Sequence, residues 1–168
     1  MSILLAGTSI SSMASNRDVA GFVHTTLAER YGRTRATADR AYEAKAIFEK
    51  LNESNSDNDL LPKLDQILQD MKVAADKLQT ARYPIEIGAI KQHVSYFLNT
   101  YEKDYLPLVK SGDVKGRNEV FNGSMIKDFL IIQENVLKVN GYQINVSKQS
   151  VETLTSVKPL IIVIVAAV

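Results

Sequence analysis

The chain has 168 residues, of which 45% are hydrophobic and 23% are charged, so it can form one domain with its own hydrophobic core. Its 20 basic and 19 acidic residues leave a formal net charge of +1, which does not favour binding to nucleic acid. The absence of cysteine excludes disulfide bonds, thiolate metal sites and cysteine nucleophiles.

Residues 1–14 form a mildly apolar segment at the N-terminus. The segment contains Ile3, Leu4 and Leu5, but also several serines and a threonine. It lacks the basic start and the strong apolar centre of a secretory signal. We interpret it as the tail of a first transmembrane helix or as a frayed helical start, and the sequence leaves both interpretations open.

The first helix is predicted over residues 17–53. An apolar stripe runs along one side of it, with a member at every third or fourth position. The stripe consists of Ala20, His24, Leu27, Tyr31, Thr34, Ala38, Ala41, Ala44, Phe48 and Leu51. Its central residues are small, which lets another helix approach closely. That helix belongs either to a second copy of the chain, related by two-fold symmetry, or to the same chain.

Two further helices are predicted before residue 111. The segment Asn52–Asp59 has the composition of a turn, with Asp59 as a candidate N-cap. The second helix has apolar positions at Leu61, Leu64, Leu68, Met71, Ala75 and Leu78. The third, from about Ile87 to Lys110, has them at Ile87, Ile90, Val94, Phe97 and Tyr101. Pro107 is expected to kink or fray its last turns, because proline has no backbone N–H to donate.

A long fourth helix is predicted from Asp113 to Val157. Gly112 suits the end of the preceding helix, and Asp113 suits the N-cap of the next one. The apolar stripe includes Met125, Phe129, Ile132, Val136 and Val139. About 45 residues at about 1.5 Å each extend for roughly 67 Å, far beyond an ordinary globular helix.

Residues 159–168 consist of Pro159 followed by the run Leu160–Val168, which has no polar side chain. A membrane-spanning helix needs about 20 apolar residues, so the run is interpreted as the start of a second transmembrane helix, truncated in this sequence. A buried C-terminal strand or core helix is the alternative, because β-branched residues dominate the run.

These elements predict an all-α fold, an antiparallel up-down-up-down four-helix bundle with long first and fourth helices. The bundle would occupy residues 15–158, between the two apolar segments. An even number of helices returns both ends of the bundle to the same side. That arrangement is required if residues 1–14 and 159–168 both enter one membrane.

The run Tyr105–Asp113, followed by a long amphipathic helix and an apolar segment, resembles the four-helix-bundle ligand-binding domain of bacterial methyl-accepting chemotaxis receptors. The resemblance implies a sensor domain on the periplasmic or extracellular side of the inner (cell) membrane. It also implies a homodimer formed through the first helix and a small-molecule ligand. Ligand binding would be relayed to the membrane as a small displacement of the fourth helix.

Two groups of residues are candidates for ligand binding. Arg30 and Arg35 flank the apolar stripe of the first helix, and guanidinium groups from two chains could hold the carboxylate of an organic acid. Pairing with acidic neighbours on an ordinary charged face is the alternative. Tyr101, Tyr105 and Arg117 are expected to gather with Lys50 at the end of the bundle far from the membrane, where helix capping and packing are the alternative roles.

The sequence shows no pattern that indicates catalysis or a cofactor. The two histidines, His24 and His93, have no partner motif, and no carboxylates occur at metal-ligand spacing. We therefore predict a non-enzymatic input domain of a transmembrane chemoreceptor, without a metal or cofactor. The alternatives are the input domain of a sensor histidine kinase or cyclase, and a soluble helical interaction protein.

Overall fold

The computed structural model describes residues 32–53 and 58–166. Within these ranges the chain is all-helical apart from short turns, and no strand occurs there. Contacts divide the chain into two units, and Gly32–Tyr142 forms the unit that contains the packed core. The predictions for residues 1–31, including both interpretations of residues 1–14, concern residues outside the described ranges.

The described residues form four helices. The first, α1, covers residues 32–53, and α2 covers Leu61–Asp76 after a 3-10 turn at Asn58–Leu60. The third helix consists of α3 (Pro84–Thr100), a π-helical turn (Tyr101–Tyr105) and α4 (Leu106–Ser111). The fourth helix consists of α5 (Val114–Val120), a second π-helical turn (Phe121–Met125) and α6 (Ile126–Ala166).

The apolar stripes predicted from the sequence form the core. On α2 and α3 the buried members include Leu64, Leu68, Met71, Ile90, Val94 and Phe97. On the fourth helix they include Met125, Phe129, Ile132, Val136 and Val139. The small stripe residues of α1, which are Thr34, Ala38, Ala41 and Ala44, are buried within this chain. Packing inside one chain therefore accounts for the small face of the first helix.

Pro107 does not end the third helix, which continues to Ser111. The first π turn lies directly before this proline, and the backbone N–H of Leu106 donates to the carbonyl oxygen of Tyr101, five residues back. Pro107 thus lies at the beginning of α4, where a missing N–H costs little. The distortion expected at Pro107 takes the form of a widened turn within a continuous helix.

The two π turns share a pattern of buried positions. Buried residues follow one another at intervals of four at Phe97, Tyr101, Tyr105 and Val109, and again at Arg117, Phe121, Met125 and Phe129. Three such intervals contain 12 residues, about one more than three turns of an α-helix at 3.6 residues per turn. Each π turn accommodates the extra residue and keeps the stripe facing the core.

The connection between the third and fourth helices matches the sequence prediction. Gly112 has a φ of 73°, in the left-handed region that glycine adopts without steric cost. The Asp113 side chain caps the next helix, because its Oδ1 accepts from the N–H of Gly116 at 2.9 Å. The prediction of Asp59 as a cap is wrong, since Leu60 occupies the N-cap position of α2 and no side chain caps it.

The helix α6 extends beyond the predicted end at Val157. It continues across Pro159 to Ala166, so part of the apolar run is helical. The other unit of the chain contributes residues 143–166 to this helix. Within the described residues, no helix combines the length and the apolar composition needed to cross a membrane.

Candidate functional site

Tyr101, Tyr105 and Arg117 are buried together around Phe48, which is itself completely buried. The ring centroid of Phe48 lies 5.8 Å from that of Tyr101 and 4.9 Å from that of Tyr105. The Arg117 side chain is 1% exposed, and its charge acts on Tyr105. These three residues therefore lie close together, and we call them the tyrosine–arginine cluster. Lys50, predicted to join them, is exposed.

Asn52 ties the last turn of α1 to this cluster. The hydroxyl of Tyr105 donates to Asn52 Oδ1 at 2.8 Å, within the core. The side-chain amide of Asn118 donates to the backbone oxygen of Asn52 at 3.1 Å. That oxygen is among the last carbonyls of α1, which lack partners within the helix. The cluster therefore joins three helices at one point.

Both tyrosines of the cluster are held in their neutral form. Burial raises the pKa of Tyr105 to about 12, although the positive charge of Arg117 opposes the shift. Burial, together with a hydrogen bond to the Asp65 carboxylate, raises the pKa of Tyr101 far above its usual value. Each hydroxyl is therefore a hydrogen-bond donor throughout the physiological pH range. Tyr105 and Arg117 are enclosed by this packing, and neither lines the two surface sites described below.

We expect the Tyr105→Phe variant to be less stable by about 1–2 kcal/mol at pH 7, because Asn52 loses its donor inside the core. Between pH 10 and 12 the wild type loses stability as the pH rises, since the unfolded chain releases the Tyr105 proton while the folded chain retains it. Urea unfolding at pH 7, 9 and 11 should show a weaker alkaline loss in the variant. Equal losses in both proteins would contradict this assignment.

A basic cleft lies between α1 and α2. It has a volume of about 300 Å³ and is lined by Arg33, Ala36, Arg40, Asp70, Val73, Ala74 and Lys77. Its lining has three cationic groups and one carboxylate, and Arg40 also pairs with Glu43, which is not part of the lining. The excess of positive charge in the lining suits an anion. The exposed faces of Ala36 and Val73 add apolar surface between these charges. The cleft can therefore bind an anion that carries a short apolar body.

The predicted arginine pair is not part of this cleft. Arg30 lies outside the described residues, and Arg35 approaches Asp39 at 3.7 Å on an exposed side of α1. The cleft is instead formed by Arg33 and Arg40, which a helical wheel places away from the apolar stripe. The neighbouring helix α2 supplies Lys77, and no pattern in the sequence indicates that this residue lies beside the two arginines.

A second, larger groove lies between α2 and the third helix, with a volume of about 590 Å³. Its apolar lining includes Leu68, Val94, Leu98 and Leu106. Its polar lining consists of Asp65, Gln69, Lys72, Asp76, Lys91, Ser95, Asn99, Tyr101 and Glu102. Two of these residues, Tyr101 and Glu102, belong to the first π turn. We call this surface the α2/α3 groove.

His93 is half-buried and pairs with Asp128 on the fourth helix. Its Nδ1 lies 2.7 Å from Asp128 Oδ1, so the pair links α3 to α6. Among the described residues, no group of three or more histidine, aspartate or glutamate side chains converges to hold a metal ion. The pair therefore serves as a connection between two helices, and His24 lies outside the described ranges.

Comparisons with protein-family models, with curated proteins and with solved structures give no match for this chain. The assignment of functional roles therefore depends on the geometry of the two surface sites and on the course of the fourth helix.

Proposed function

We propose that the chain is the extracytoplasmic ligand-sensing input domain of a transmembrane receptor of the chemoreceptor type. The observation that carries the proposal is the fourth helix, which contains the buried Arg117 and extends to Ala166, within the apolar run Leu160–Val168. A ligand that displaces this helix relative to the core changes its position at the other end as well. The role requires no catalysis.

The up-down-up-down arrangement is part of this proposal, and pairs of contacting residues support it. Thr34 and Asn140 bond near the beginning of α1, whereas Asn52 and Asn118 bond near its end. As the residue number rises along α1, the number of the bonded residue on the fourth helix falls, as expected for antiparallel helices. Between α2 and the third helix the order is the same, since Asp65 bonds to Tyr101 and Asp76 bonds to Lys91.

The basic cleft is the proposed site for the small-molecule ligand, which we infer to be a small organic acid. Its guanidinium and ammonium groups can bind carboxylate oxygens in charge-assisted hydrogen bonds. The apolar surface of Ala36 and Val73 favours a carbon skeleton between them over inorganic phosphate. A carboxylate bound there contacts α1 and α2 together.

We further propose that the receptor is a homodimer formed through the first helix and inserted in the cell membrane through the run Leu160–Val168. Because the stripe of small residues on α1 is buried within the chain, the dimer would use the opposite face, which includes Asp39, Glu43 and Ala46. Flotation of the full chain with lipid vesicles tests the insertion. The chain should float, and the Ile161→Asp and Ile164→Asp variants should not.

Isothermal titration of succinate into the purified chain tests the cleft. We expect the Arg40→Gln and Lys77→Gln variants to bind succinate at least about tenfold more weakly, a change of about 1.4 kcal/mol in binding free energy. The matched control is Arg35→Gln, an exposed arginine of the same helix outside the cleft. The neutral diamide of succinate should not bind. Equal affinity in all variants would reject the cleft as the ligand site.

The input domain of a sensor histidine kinase or of a cyclase would have the same ligand-sensing role, so the proposal includes these two classes of receptor. A soluble helical interaction protein is the second candidate. It is favoured by Leu130 and Leu137, large apolar side chains that lie exposed seven residues apart on the fourth helix. In the flotation experiment, a chain that remains in the dense bottom fraction, apart from the vesicles, would support this second candidate.

A further inference from the structure

The α2/α3 groove has an acidic end built on a buried tyrosine. Tyr101 is 4% exposed, and its hydroxyl donates to Asp65 Oδ1 at 2.5 Å. The Asp65 side chain is exposed on the groove, so the bond fixes the carboxylate while its other oxygen remains available. Glu102 follows Tyr101 in the chain and lines the same end. Two carboxylates at one end form a site for a protonated amine.

Lys72 lies further along the groove on the same helix. It is seven residues from Asp65, which corresponds to about 10 Å at about 1.5 Å per residue. Lys91 also lines the groove, and its ammonium group donates to the backbone oxygen of Asp76 at 3.1 Å. Lys72 lies on the same face of α2 as Asp65, about 10 Å further along the helix axis, and can bind an anionic group at that end.

The surface between these two ends combines amide and apolar groups. Gln69, Ser95 and Asn99 can donate to and accept from a backbone amide. Leu68, Val94 and Leu98 provide an apolar floor. An extended chain advances by about 3.3–3.6 Å per residue, so three residues separate an amino group from a carboxylate by about 10 Å. A free amino acid is too short to reach both ends.

We propose that the α2/α3 groove binds a short peptide of about three residues with free termini, its amino group at Asp65 and Glu102 and its carboxylate at Lys72. The groove differs from the basic cleft in position and in charge, so this inference does not depend on the organic-acid site. Because Tyr101 and Glu102 belong to the first π turn, the bound amino group contacts the same turn that carries Tyr105. The peptide is thereby connected to the tyrosine–arginine cluster and to the fourth helix.

Titration calorimetry with trialanine tests the proposal. We expect trialanine to bind, whereas alanine, N-acetyl-trialanine and trialanine amide bind at least tenfold more weakly, because each lacks the length or one of the charged ends. Asp65→Asn and Lys72→Gln should each weaken trialanine binding at least tenfold. Lys63→Gln, an exposed lysine of α2 outside the groove, should leave the affinity unchanged.

Tyr101 acts in this site as a positioning residue. In Tyr101→Phe the Asp65 carboxylate loses its fixed orientation, so the affinity for trialanine should fall several-fold. The double variant Tyr101→Phe, Asp65→Asn should bind no more weakly than Asp65→Asn alone. Far-ultraviolet circular dichroism checks that each variant is folded. Absence of trialanine binding by the folded wild type, or equal binding of the acetylated peptide, would overturn the proposal, whatever the result with succinate.

Discussion

We expect Phe48→Ala to lower the free energy of unfolding by about 3–5 kcal/mol. Phe48 is completely buried, and its ring contacts four others, those of Phe97, Tyr101, Tyr105 and Phe121. Removing the ring leaves a cavity at the point where α1 meets the third and fourth helices. Urea unfolding followed by circular dichroism measures the loss.

The matched control is Ile85→Ala, which truncates a large apolar side chain that is 81% exposed. We expect that variant to change the unfolding free energy by no more than about 0.5 kcal/mol. A loss below about 1.5 kcal/mol in Phe48→Ala would mean that the surrounding rings collapse into the cavity, and that Phe48 does not hold the three helices together.

The second large effect is the difference between two single-residue deletions in the fourth helix, one inside a π turn and one outside it. We expect deletion of Gly123 to change the unfolding free energy by no more than about 1 kcal/mol, since the π turn contains one residue more than an α-helix needs. After the deletion, the intervals between the buried positions from Arg117 to Phe129 become four, three and four, the spacing of a regular α-helix. Gly123 is exposed, and its removal takes away no packed side chain.

Deletion of Glu134 provides the contrast. This residue is exposed within α6, where the helix has no extra residue. The deletion rotates the following residues by about 100° and turns Val136 and Val139 out of the core. We expect a loss above about 5 kcal/mol, or no cooperative unfolding transition. Equal losses for the two deletions would show that the π turn does not absorb an extra residue.

Much of the fold follows from local patterns. Among the described residues up to Val139, the spacing of apolar residues predicted most of the buried positions, because exposing an apolar helix face to water costs free energy. The turn between the third and fourth helices could be predicted from Gly112 and Asp113. The role of Gly112 depends only on its backbone conformation, and the role of Asp113 depends on one local hydrogen bond. Both kinds of signal involve residues close together in the sequence.

The π turns could also have been predicted from the sequence. Three successive intervals of four, at Phe97–Val109 and at Arg117–Phe129, hold more residues than regular α-helical turns can keep on one face. Pro107 by itself predicts a kink or fraying at that residue. The widened turn before Pro107 keeps the apolar residues on the buried face, and it also places the proline where the helix does not require a backbone N–H.

The surface sites were less predictable than the core. The structure brings Tyr101, Tyr105 and Arg117 together, but Tyr105 and Arg117 are covered by other side chains, and of the three only Tyr101 lines a groove. The cleft and the α2/α3 groove each arise between two helices. Their linings depend on how far each helix is rotated about its axis, which is set by packing against the other helices. A single helical wheel does not contain that information.

The hydrogen bond between Thr34 and Asn140 joins residues that are 106 positions apart. A chain loses more conformational entropy when it closes a longer loop, so the hairpin of α2 and the third helix can form before the two outer helices meet. The first and fourth helices therefore meet after the inner hairpin has formed. Three side-chain hydrogen bonds, made by Thr34, Asn118 and Gln133, then hold them together along the length of α1.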